Sequence, residues 1–401
     1  AMHVWKADVS EAGLAAGLFI ISALVARLLA GHFIDGLGRG FVLRCGTALY
    51  AASMLLYFFI TSMLEFEAIR VVHGFAYGLA STAASTIVAT IIPLKRQGEG
   101  IGYFTLGVTI ASAIGPFLGI WFTQHGMYEA SVWICSAVGV LAFVLSLLIR
   151  TPAHRMTEAE KKEMRTLKFS TFFQLEALPI SFIAMLGGVC YSTVLAYIGA
   201  YSQSLSLFWA GSVFFLGFAF TSIISRPVTG RLLDEFGGSV VVYPALIFLA
   251  AAMVLIGASR SSGMLLSGAL VLGLGFATIT SACHALAVFV SPQQYVGRAT
   301  ATYFVLLDVG VGIGPYTLGL LVPYFGFSAV YFAAASVAAV GILIYWAVIG
   351  RTGIFSTLVM RKVRSMRLNQ IDIDPRHVSS AYRRGEEIEF DDPQPNQKKD
   401  A

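Results

Sequence analysis

The stretch Gly31-His32-Phe33-Ile34-Asp35-Gly36-Leu37-Gly38-Arg39 separates two long apolar runs of the chain. It holds a carboxylate, a guanidinium and three glycines where the chain would leave a lipid bilayer. A second stretch, Arg226 to Gly237, repeats its pattern. The matching pairs are Arg27 and Arg226, Gly31 and Gly230, and Asp35 and Asp234. The offset is constant, because 226 − 27, 230 − 31 and 234 − 35 each equal 199.

The composition indicates a membrane protein. Of the 401 residues, 57% are hydrophobic and 12% are charged, whereas a soluble domain carries roughly 25% charged residues. The 40 glycines suit closely packed helices in lipid. The net charge of +5 is small for this length and implies no nucleic-acid partner. The four cysteines are far apart inside apolar runs, so neither disulfides nor a metal site are expected.

Eleven continuous apolar runs predict eleven transmembrane helices. Each approaches or exceeds the roughly 20 residues that a helix needs to cross the hydrocarbon. Continuous runs, rather than alternating ones, argue against a barrel. The predicted fold is therefore an all-α polytopic membrane protein. The runs cover residues 11–31, 41–63, 67–92, 100–124, 130–150, 177–200, 209–230, 239–258, 263–290, 298–323 and 327–350.

The repeat extends beyond the opening stretch and predicts two pseudo-symmetric halves. A constant register through five helices is typical of transporters, whose binding site lies between such halves. Further pairs at the same offset are Gly74 and Gly273, Pro93 and Pro292, Gly98 and Gly297, and Gly115-Pro116 and Gly314-Pro315. The expected domains are an N-terminal half at 1–150, a linker with a short amphipathic helix at 151–176, a six-helix half at 177–350 and a basic, disordered tail at 351–401.

The two halves differ in their number of runs. The second half begins with the run 177–200, whose counterpart would precede residue 1. We therefore expect the first half to lack its first helix. Lys and Arg concentrate in alternate loops, beginning with 32–40. This bias predicts that the loop 151–176 and the C-terminus are cytoplasmic, in what we expect to be a bacterial inner (plasma) membrane.

These motifs resemble those of the major facilitator superfamily, over residues 11–350. The family signature G-x-x-x-D-x-x-G-R is matched by Gly31, Asp35, Gly38 and Arg39. The segment Arg70-Val71-Val72-His73-Gly74 is similar to the signature R-x-x-Q-G, with His73 in place of glutamine. The segment from Ala111 to Gly119 is similar to G-x-x-x-G-P-x-x-G, although Ala111 replaces the first glycine. This last signature implies a proton-coupled antiporter.

The resemblance implies that Asp35 and Arg39 form a cytoplasmic latch that holds the two halves together. Gly31 and Gly38 belong to it, and the repeat adds Arg226, Gly230 and Asp234. The alternative is that Asp35 caps a helix end beside a topology-setting arginine.

Two Gly-Pro pairs, Gly115-Pro116 and Gly314-Pro315, are expected near the middle of the membrane. Proline bends a helix and glycine admits a close neighbour. Control of leakage during rocking and simple packing both remain open.

Asp308 is the most informative single residue. It lies about ten residues into its apolar run, so roughly 15 Å deep. An ionised carboxylate there is costly unless it is paired, hydrated or protonated. Its repeat partner is Thr109, so the fold does not require the charge. We expect Asp308 to carry a proton or to contact a cationic substrate group, with a structural ion pair as the alternative.

Four further residues are candidates for the proton or substrate site. Arg70 either reaches the external interface or, as the resemblance implies, takes part in proton coupling. His284 either packs between helices or relays protons. Tyr191 and Tyr303 are candidates for lining the cavity, together with Tyr197, Tyr201 and Phe104.

The sequence therefore predicts a secondary active transporter that works by alternating access. The leading function is proton-coupled efflux of a small organic molecule by a monomer. A proton-coupled importer, and a non-transporting membrane sensor, scaffold or inactive fragment, are alternatives. No nucleophile triad, metal cluster or phosphate-binding loop is evident in the sequence. We therefore expect no enzyme activity, no cofactor and no ATP drive.

Overall fold

The computed structural model describes residues 9–93, 96–151 and 171–350, and all regular structure within these ranges is helical. The eleven long helices are α1 (Val9–Leu37), α2 (Arg39–Leu56), α3 (Met63–Ile91), α4 (Gln97–Gln124), α5 (Tyr128–Leu148), α6 (Leu178–Ser204), α7 (Phe208–Phe236), α8 (Gly238–Gly257), α9 (Ser262–Val290), α10 (Val296–Gly319) and α11 (Val322–Tyr345). Among the described residues, nine helices are long and apolar enough to cross a membrane. The predicted all-α fold with eleven helices is confirmed. Most of the predicted linker and the whole tail at 351–401 lie outside the described residues.

The helices of the two halves begin at matching positions of the internal repeat. Four pairs of helices start 199 residues apart, since 208 − 9, 238 − 39, 262 − 63 and 296 − 97 all equal 199. These pairs are α1 with α7, α2 with α8, α3 with α9 and α4 with α10. The start of α3 and that of α9 also share a cap. The Ser62 hydroxyl accepts a hydrogen bond from the Glu65 amide (3.3 Å), and the Ser261 hydroxyl accepts one from the Met264 amide (3.3 Å).

The connection between the first two helices is shorter than the loop 32–40 that the sequence suggested. Helix α1 continues through Gly31 to Leu37, and only Gly38 lies outside a helix before α2 begins. Gly38 has φ 91°, and its repeat partner Gly237 has φ 84°. A side chain is strained at such angles, which explains a glycine at both positions. One residue of this kind reverses the chain, so the preceding two turns keep their helical hydrogen bonds.

The two halves meet through two crossings that the repeat relates. Helix α1 packs on α10, and α7 packs on α4. In the first crossing Gly31 faces Ala301, and in the second Gly230 lies against Gly98 and Glu99. A Cβ atom on Gly230 would lie only 2.7 Å from the Glu99 Cα atom. Both crossings lie near Gly38 and Gly237, and we call this side of the bundle the hinge end.

The halves differ around α4 and α10. In the second half α6 packs closely on α10, so that a Cβ atom on Gly314 would lie 2.7 Å from the Val189 carbonyl oxygen. At the repeat partner Gly115 in α4, no described atom comes within 4 Å of the corresponding position. The expectation that the first half lacks the helix equivalent to α6 stays a prediction.

The main apolar core lies in the second half, among α6 to α11. Phe214, Leu246, Leu249, Met253 and Tyr331 are fully buried there. Large apolar side chains also cover the outside, for example on α5, α7 and α11. Lipid tails are a suitable surrounding for that surface, because they are as apolar as the side chains.

Substitution of Gly273 should test the packing between α7 and α9. A Cβ atom there would meet Thr221 and would lie 2.5 Å from the Phe218 carbonyl oxygen. We expect Gly273→Ala to destabilise the protein by about 1–3 kcal/mol through this overpacking, measured by thermal unfolding in detergent. The control is Gly312→Ala, because no described atom lies within 4 Å of that position. Equal unfolding midpoints for the two variants would contradict the packing.

Candidate functional site

A buried ion pair joins the two halves in the middle of the bundle. Arg27 of α1 donates from Nε to Oδ2 of Asp308 in α10 at 2.8 Å. The Arg27 side chain is 3% exposed and that of Asp308 is 24% exposed. Arg27 lies ten residues before the end of α1, which is about 15 Å from the hinge end. The carboxylate is therefore paired across the interface and still partly accessible.

The surroundings of Arg27 hold its guanidinium in place. Its Nη1 atom donates to the Ser81 hydroxyl at 3.2 Å and to that of Thr82 at 3.5 Å, both on α3. The guanidinium carbon lies 4.5 Å from the ring centre of Phe304, one turn before Asp308. Because α3 and α10 both contact it, Arg27 is oriented towards Asp308.

The predicted latch residues Asp35 and Arg39 form an ion pair at the hinge end. Arg39 Nη2 lies 2.7 Å from Asp35 Oδ1, and Arg39 Nη1 donates to the Thr90 hydroxyl at 2.9 Å. The second carboxylate oxygen of Asp35 faces the start of α10, where a Cβ atom on Gly297 would lie 3.0 Å from it. Asp35 thus lies between an arginine of its own half and the first turn of a helix of the other half.

Asp234, the repeat partner of Asp35, caps α4 across the second crossing. Its Oδ1 atom accepts a hydrogen bond from the Gly98 amide (2.6 Å), and its Oδ2 atom accepts one from the Glu99 amide (2.9 Å). Free amides and the positive end of a helix dipole both favour a carboxylate. The side chain of Asp234 in the second half therefore completes the hydrogen bonding of a helix in the first half.

Glu99 adds a charged contact to the same crossing. Its carboxylate lies 3.0 Å from Nε of Arg231 in α7 and 2.9 Å from Nη2 of Arg96. Arg231 is 61% exposed. Solvent screens an ion pair with so exposed a partner, so the two amide hydrogen bonds of Asp234 are the stronger contact at this crossing.

Arg226, the repeat partner of Arg27, has a different environment. Its side chain is 4% exposed, and its Nη1 atom donates to the Thr105 hydroxyl of α4. Its Nε atom has no hydrogen-bond partner among the described residues. Thr109, in the position that corresponds to Asp308, donates its hydroxyl to the Thr105 carbonyl oxygen at 3.3 Å. The repeat therefore conserves the cation but not its carboxylate.

His284 and Tyr303 pack together beside Phe304, the ring that Arg27 contacts. Their rings stack at 4.8 Å, and the Tyr303 hydroxyl donates to the Thr280 carbonyl oxygen at 2.7 Å. Both ring nitrogens of His284 are buried without a hydrogen-bond partner in the described part of the chain. A proton relay needs such partners, so these contacts favour the packing interpretation of His284.

Two other candidates lie outside this cluster. Tyr191 stacks on Phe276 with ring centres 4.0 Å apart, within the second half. Arg70 donates from Nε to the Ala15 carbonyl oxygen at 3.3 Å, and its guanidinium carbon lies 4.7 Å from the Phe19 ring centre. Arg70 therefore binds within the first half, towards the end of the bundle opposite the hinge end.

The Gly-Pro pairs lie within unbroken helices. Helix α4 runs through Gly115 and Pro116, and α10 runs through Gly314 and Pro315. The carbonyl oxygen of Pro315 accepts a hydrogen bond from the Tyr197 hydroxyl at 2.6 Å. In α10 the pair joins the packing on α6, and its suggested role in controlling leakage stays a prediction.

Sequence reasoning used Arg27 only as a marker of the repeat and missed its pairing with Asp308. The signal was present, because ionisable residues inside membranes generally pair with one another. Arg27 and Asp308 both fall within apolar stretches. As regards metals, no group of three potential metal ligands occurs among the residues that the structure describes.

Comparisons with known proteins agree with this architecture. The sequence model of the Major Facilitator Superfamily matches residues 1–217 and 204–357. An uncharacterized MFS-type transporter of Methanocaldococcus jannaschii is 27% identical over 345 residues, covering 84% of this chain and 88% of the relative. A multi-drug resistance efflux pump, PmrA of Streptococcus pneumoniae, is 24% identical, covering 81% and 82% of the two chains.

Solved structures share the fold. The proton:xylose symporter XylE superposes with a TM-score of 0.70 at 14% identity, covering 85% of this chain and 86% of that one. The proteins in this family are transporters rather than enzymes. The chain is an integral membrane protein and belongs to the major facilitator superfamily.

Proposed function

We propose that the protein is a proton-coupled secondary transporter in which Asp308 takes up the proton. The observation that carries this proposal is the ion pair of 2.8 Å between Arg27 and Asp308, which come from opposite halves. A charge inside a membrane is stable only with a partner or a proton. A carboxylate that can exchange its arginine for a proton links protonation to the contact between the halves.

Protonation would weaken the closed hinge end. A neutral Asp308 no longer attracts Arg27, so α1 and α10 lose their buried electrostatic contact. The α1–α10 crossing lies between Asp308 and the hinge end, because Gly31 meets Ala301 there. We therefore infer that protons reach Asp308 from the opposite side of the bundle, through its 24% exposed fraction. Alternating access requires such a route, because the site must be open to the opposite side while the hinge end is closed.

The latch supports the same cycle. Asp234 accepts hydrogen bonds from two amides of α4 across the halves, and its repeat partner Asp35 faces the start of α10. These contacts are strong only while the helix ends stay in place, because hydrogen bonds depend steeply on distance and angle. They favour two discrete arrangements of the halves over a continuous range.

Efflux is the direction that we propose first. The sequence resemblance to antiporters and the similarity to a multi-drug resistance efflux pump support it. In this cycle the hinge end is cytoplasmic, which fits the Lys and Arg bias of the loops. The protein would act as a monomer in a bacterial inner (plasma) membrane. The cargo would be a small organic molecule.

A proton-coupled importer is the second candidate. The fold is shared with a proton:xylose symporter, and the Arg27–Asp308 pair serves either direction. The direction of flux driven by an imposed pH gradient in proteoliposomes distinguishes the two candidates. A non-transporting sensor or scaffold would give no gradient-driven flux of any compound.

Replacing Asp308 by asparagine should uncouple transport from the proton. The amide cannot ionise, so neither the ion pair nor proton uptake remains. We expect gradient-driven flux to fall at least about tenfold, because about 1.4 kcal/mol of lost coupling is enough for that factor. The measurement is flux in proteoliposomes with and without a pH gradient. The control is Glu129→Gln, an exposed carboxylate at the other end of the bundle. Undiminished gradient-driven flux in Asp308→Asn would refute the proton role.

Replacing Asp35 by asparagine should abolish transport without affecting membrane insertion. The neutral side chain loses the ion pair with Arg39 and the charge that faces the first turn of α10. We expect at least about a tenfold loss of flux, with a normal amount of protein in the membrane fraction. Normal transport by a well-inserted variant would exclude a latch at Asp35.

Replacing Asp234 by asparagine should loosen the start of α4. Asparagine has one acceptor oxygen and no charge, so one charge-assisted hydrogen bond to Gly98 or Glu99 is lost. A cost of about 1.5 kcal/mol predicts about tenfold faster amide exchange there. Hydrogen–deuterium exchange of peptides over residues 97–104 measures it. Glu235→Gln is the control, because Glu235 is an exposed carboxylate next in sequence. Unchanged exchange in the Asp234 variant would show that the cap does not hold α4.

A further inference from the structure

The two halves treat equivalent arginines differently. The offset of 199 pairs Arg27 with Arg226, Asp308 with Thr109, and Phe304 with Thr105. Arg27 has a carboxylate partner at 2.8 Å. Arg226 is 4% exposed, and its one hydrogen bond among the described residues goes to the uncharged Thr105 hydroxyl. Its Nε atom has no partner there.

The described carboxylates nearby have other partners. Asp308 binds Arg27, Asp35 binds Arg39, and Glu99 binds Arg96 and Arg231. Asp234 binds the amides of Gly98 and Glu99. A guanidinium stays ionised in proteins, and an uncompensated buried charge is costly. The surroundings of Arg226 therefore favour an anion that the described residues do not supply.

The residues of α4 that face Arg226 have small side chains. Gly102 faces the Arg226 backbone, where a Cβ atom would lie 3.4 Å from the carbonyl oxygen. Thr105 and Thr109 stand where α10 carries Phe304 and Asp308. The surroundings of Arg226 therefore lack both the aromatic ring and the carboxylate that contact Arg27. When the α4–α7 crossing opens, a carboxylate from solution can take the place that Asp308 occupies in the other crossing.

We propose that Arg226 binds the anionic group of the transported molecule, and that the substrates include small organic anions such as carboxylates. A guanidinium presents two parallel N–H donors that match a carboxylate, which makes the contact specific as well as strong. The proposal rests on the proposed transport function for its physiological meaning, whereas binding at Arg226 can be measured without transport. Arg226 lies ten residues before the end of α7, about 15 Å from the hinge end. This depth is equal to that of Arg27.

Electrostatics gives the sign of the coupling to Asp308. Arg226 lies at the same depth as Arg27, which pairs with Asp308, and charges in a low-dielectric interior interact more strongly than in water. An ionised Asp308 repels an anion at Arg226, and its protonation removes the repulsion. Anion affinity should therefore rise as the pH falls, and by linkage the anion promotes proton uptake. For an anionic cargo this sign corresponds to co-transport, the second candidate above.

The test is ligand-dependent thermal unfolding of the purified full chain in detergent. The probes are acetate, benzoate, hippurate and 1-naphthoate, each compared with its uncharged amide at the same concentration. We expect at least one carboxylate to raise the unfolding midpoint by at least about 3 °C more than its amide, because ligand that binds only the folded state stabilises it. In Arg226→Gln this difference should disappear, and Arg260→Gln, an exposed arginine in a distant loop, should keep it.

A second variant keeps the test decisive if Arg226→Gln fails to fold. Thr109→Asp introduces the carboxylate that the repeat lacks here, and it should remove the carboxylate-dependent shift by occupying Arg226. A shift that persists in either variant would overturn the proposal. Amides that raise the unfolding midpoint as much as the carboxylates do would also overturn the proposal. The same holds if none of the four carboxylates raises the midpoint.

The binding and flux experiments distinguish failure of the anion site at Arg226 from failure of the proton role of Asp308. A carboxylate shift that depends on Arg226, with flux of the same compound unchanged by Asp308→Asn, supports the anion site and refutes the proton role. Gradient-driven flux that depends on Asp308 but remains intact in Arg226→Gln supports the proton role and refutes the anion site.

Discussion

A cation and a carboxylate inside a membrane protein stabilise each other when they form an ion pair. Here the two partners of the pair come from different halves. Arg27 and Asp308 lie 2.8 Å apart, with Ser81 and Thr82 holding the guanidinium from a third helix. Breaking a buried pair leaves a charge uncompensated, at a cost of about 3–5 kcal/mol. The pair therefore stabilises the contact between α1 and α10 in this arrangement of the halves. The glycine crossings and helix caps at the hinge end act on the same interface.

The internal repeat accounts for the scaffold that the two halves share, and the differences between repeat partners account for their different chemistry. Helix starts, the capping serines and the left-handed glycines recur at one offset, because they satisfy backbone requirements that both halves share. The carboxylate of Asp308 does not recur, although the arginines do. Asp308 corresponds to Thr109, so Arg27 faces a carboxylate whereas the position that corresponds to it beside Arg226 holds an uncharged threonine. Our two proposals rest on this difference, with the proton at Asp308 and the anionic group at Arg226.

Several sequence expectations failed or stayed open for identifiable reasons. The opening stretch looked like a nine-residue loop because its residues are polar, but helix α1 keeps its hydrogen bonds to Leu37 and one glycine reverses the chain. For His284 the sequence left helix packing and a proton relay as alternatives. Its position between Tyr303 and Phe304 could not be foreseen, since helix rotation depends on packing rather than on hydropathy. Arg70, ambiguous in sequence, binds the Ala15 carbonyl oxygen of its own half.

By itself, the sequence determined that the chain forms helices in a membrane, how many there are, and that they fall into two repeated sets. Hydrophobic length and a constant register are local or one-dimensional properties, so they can be read without coordinates. Only the tertiary structure decided that Arg27 meets Asp308, that Asp234 caps a helix of the other half, and that Arg226 lacks a carboxylate among the described residues. These contacts join residues more than 100 positions apart, and they depend on which faces of the helices turn towards each other.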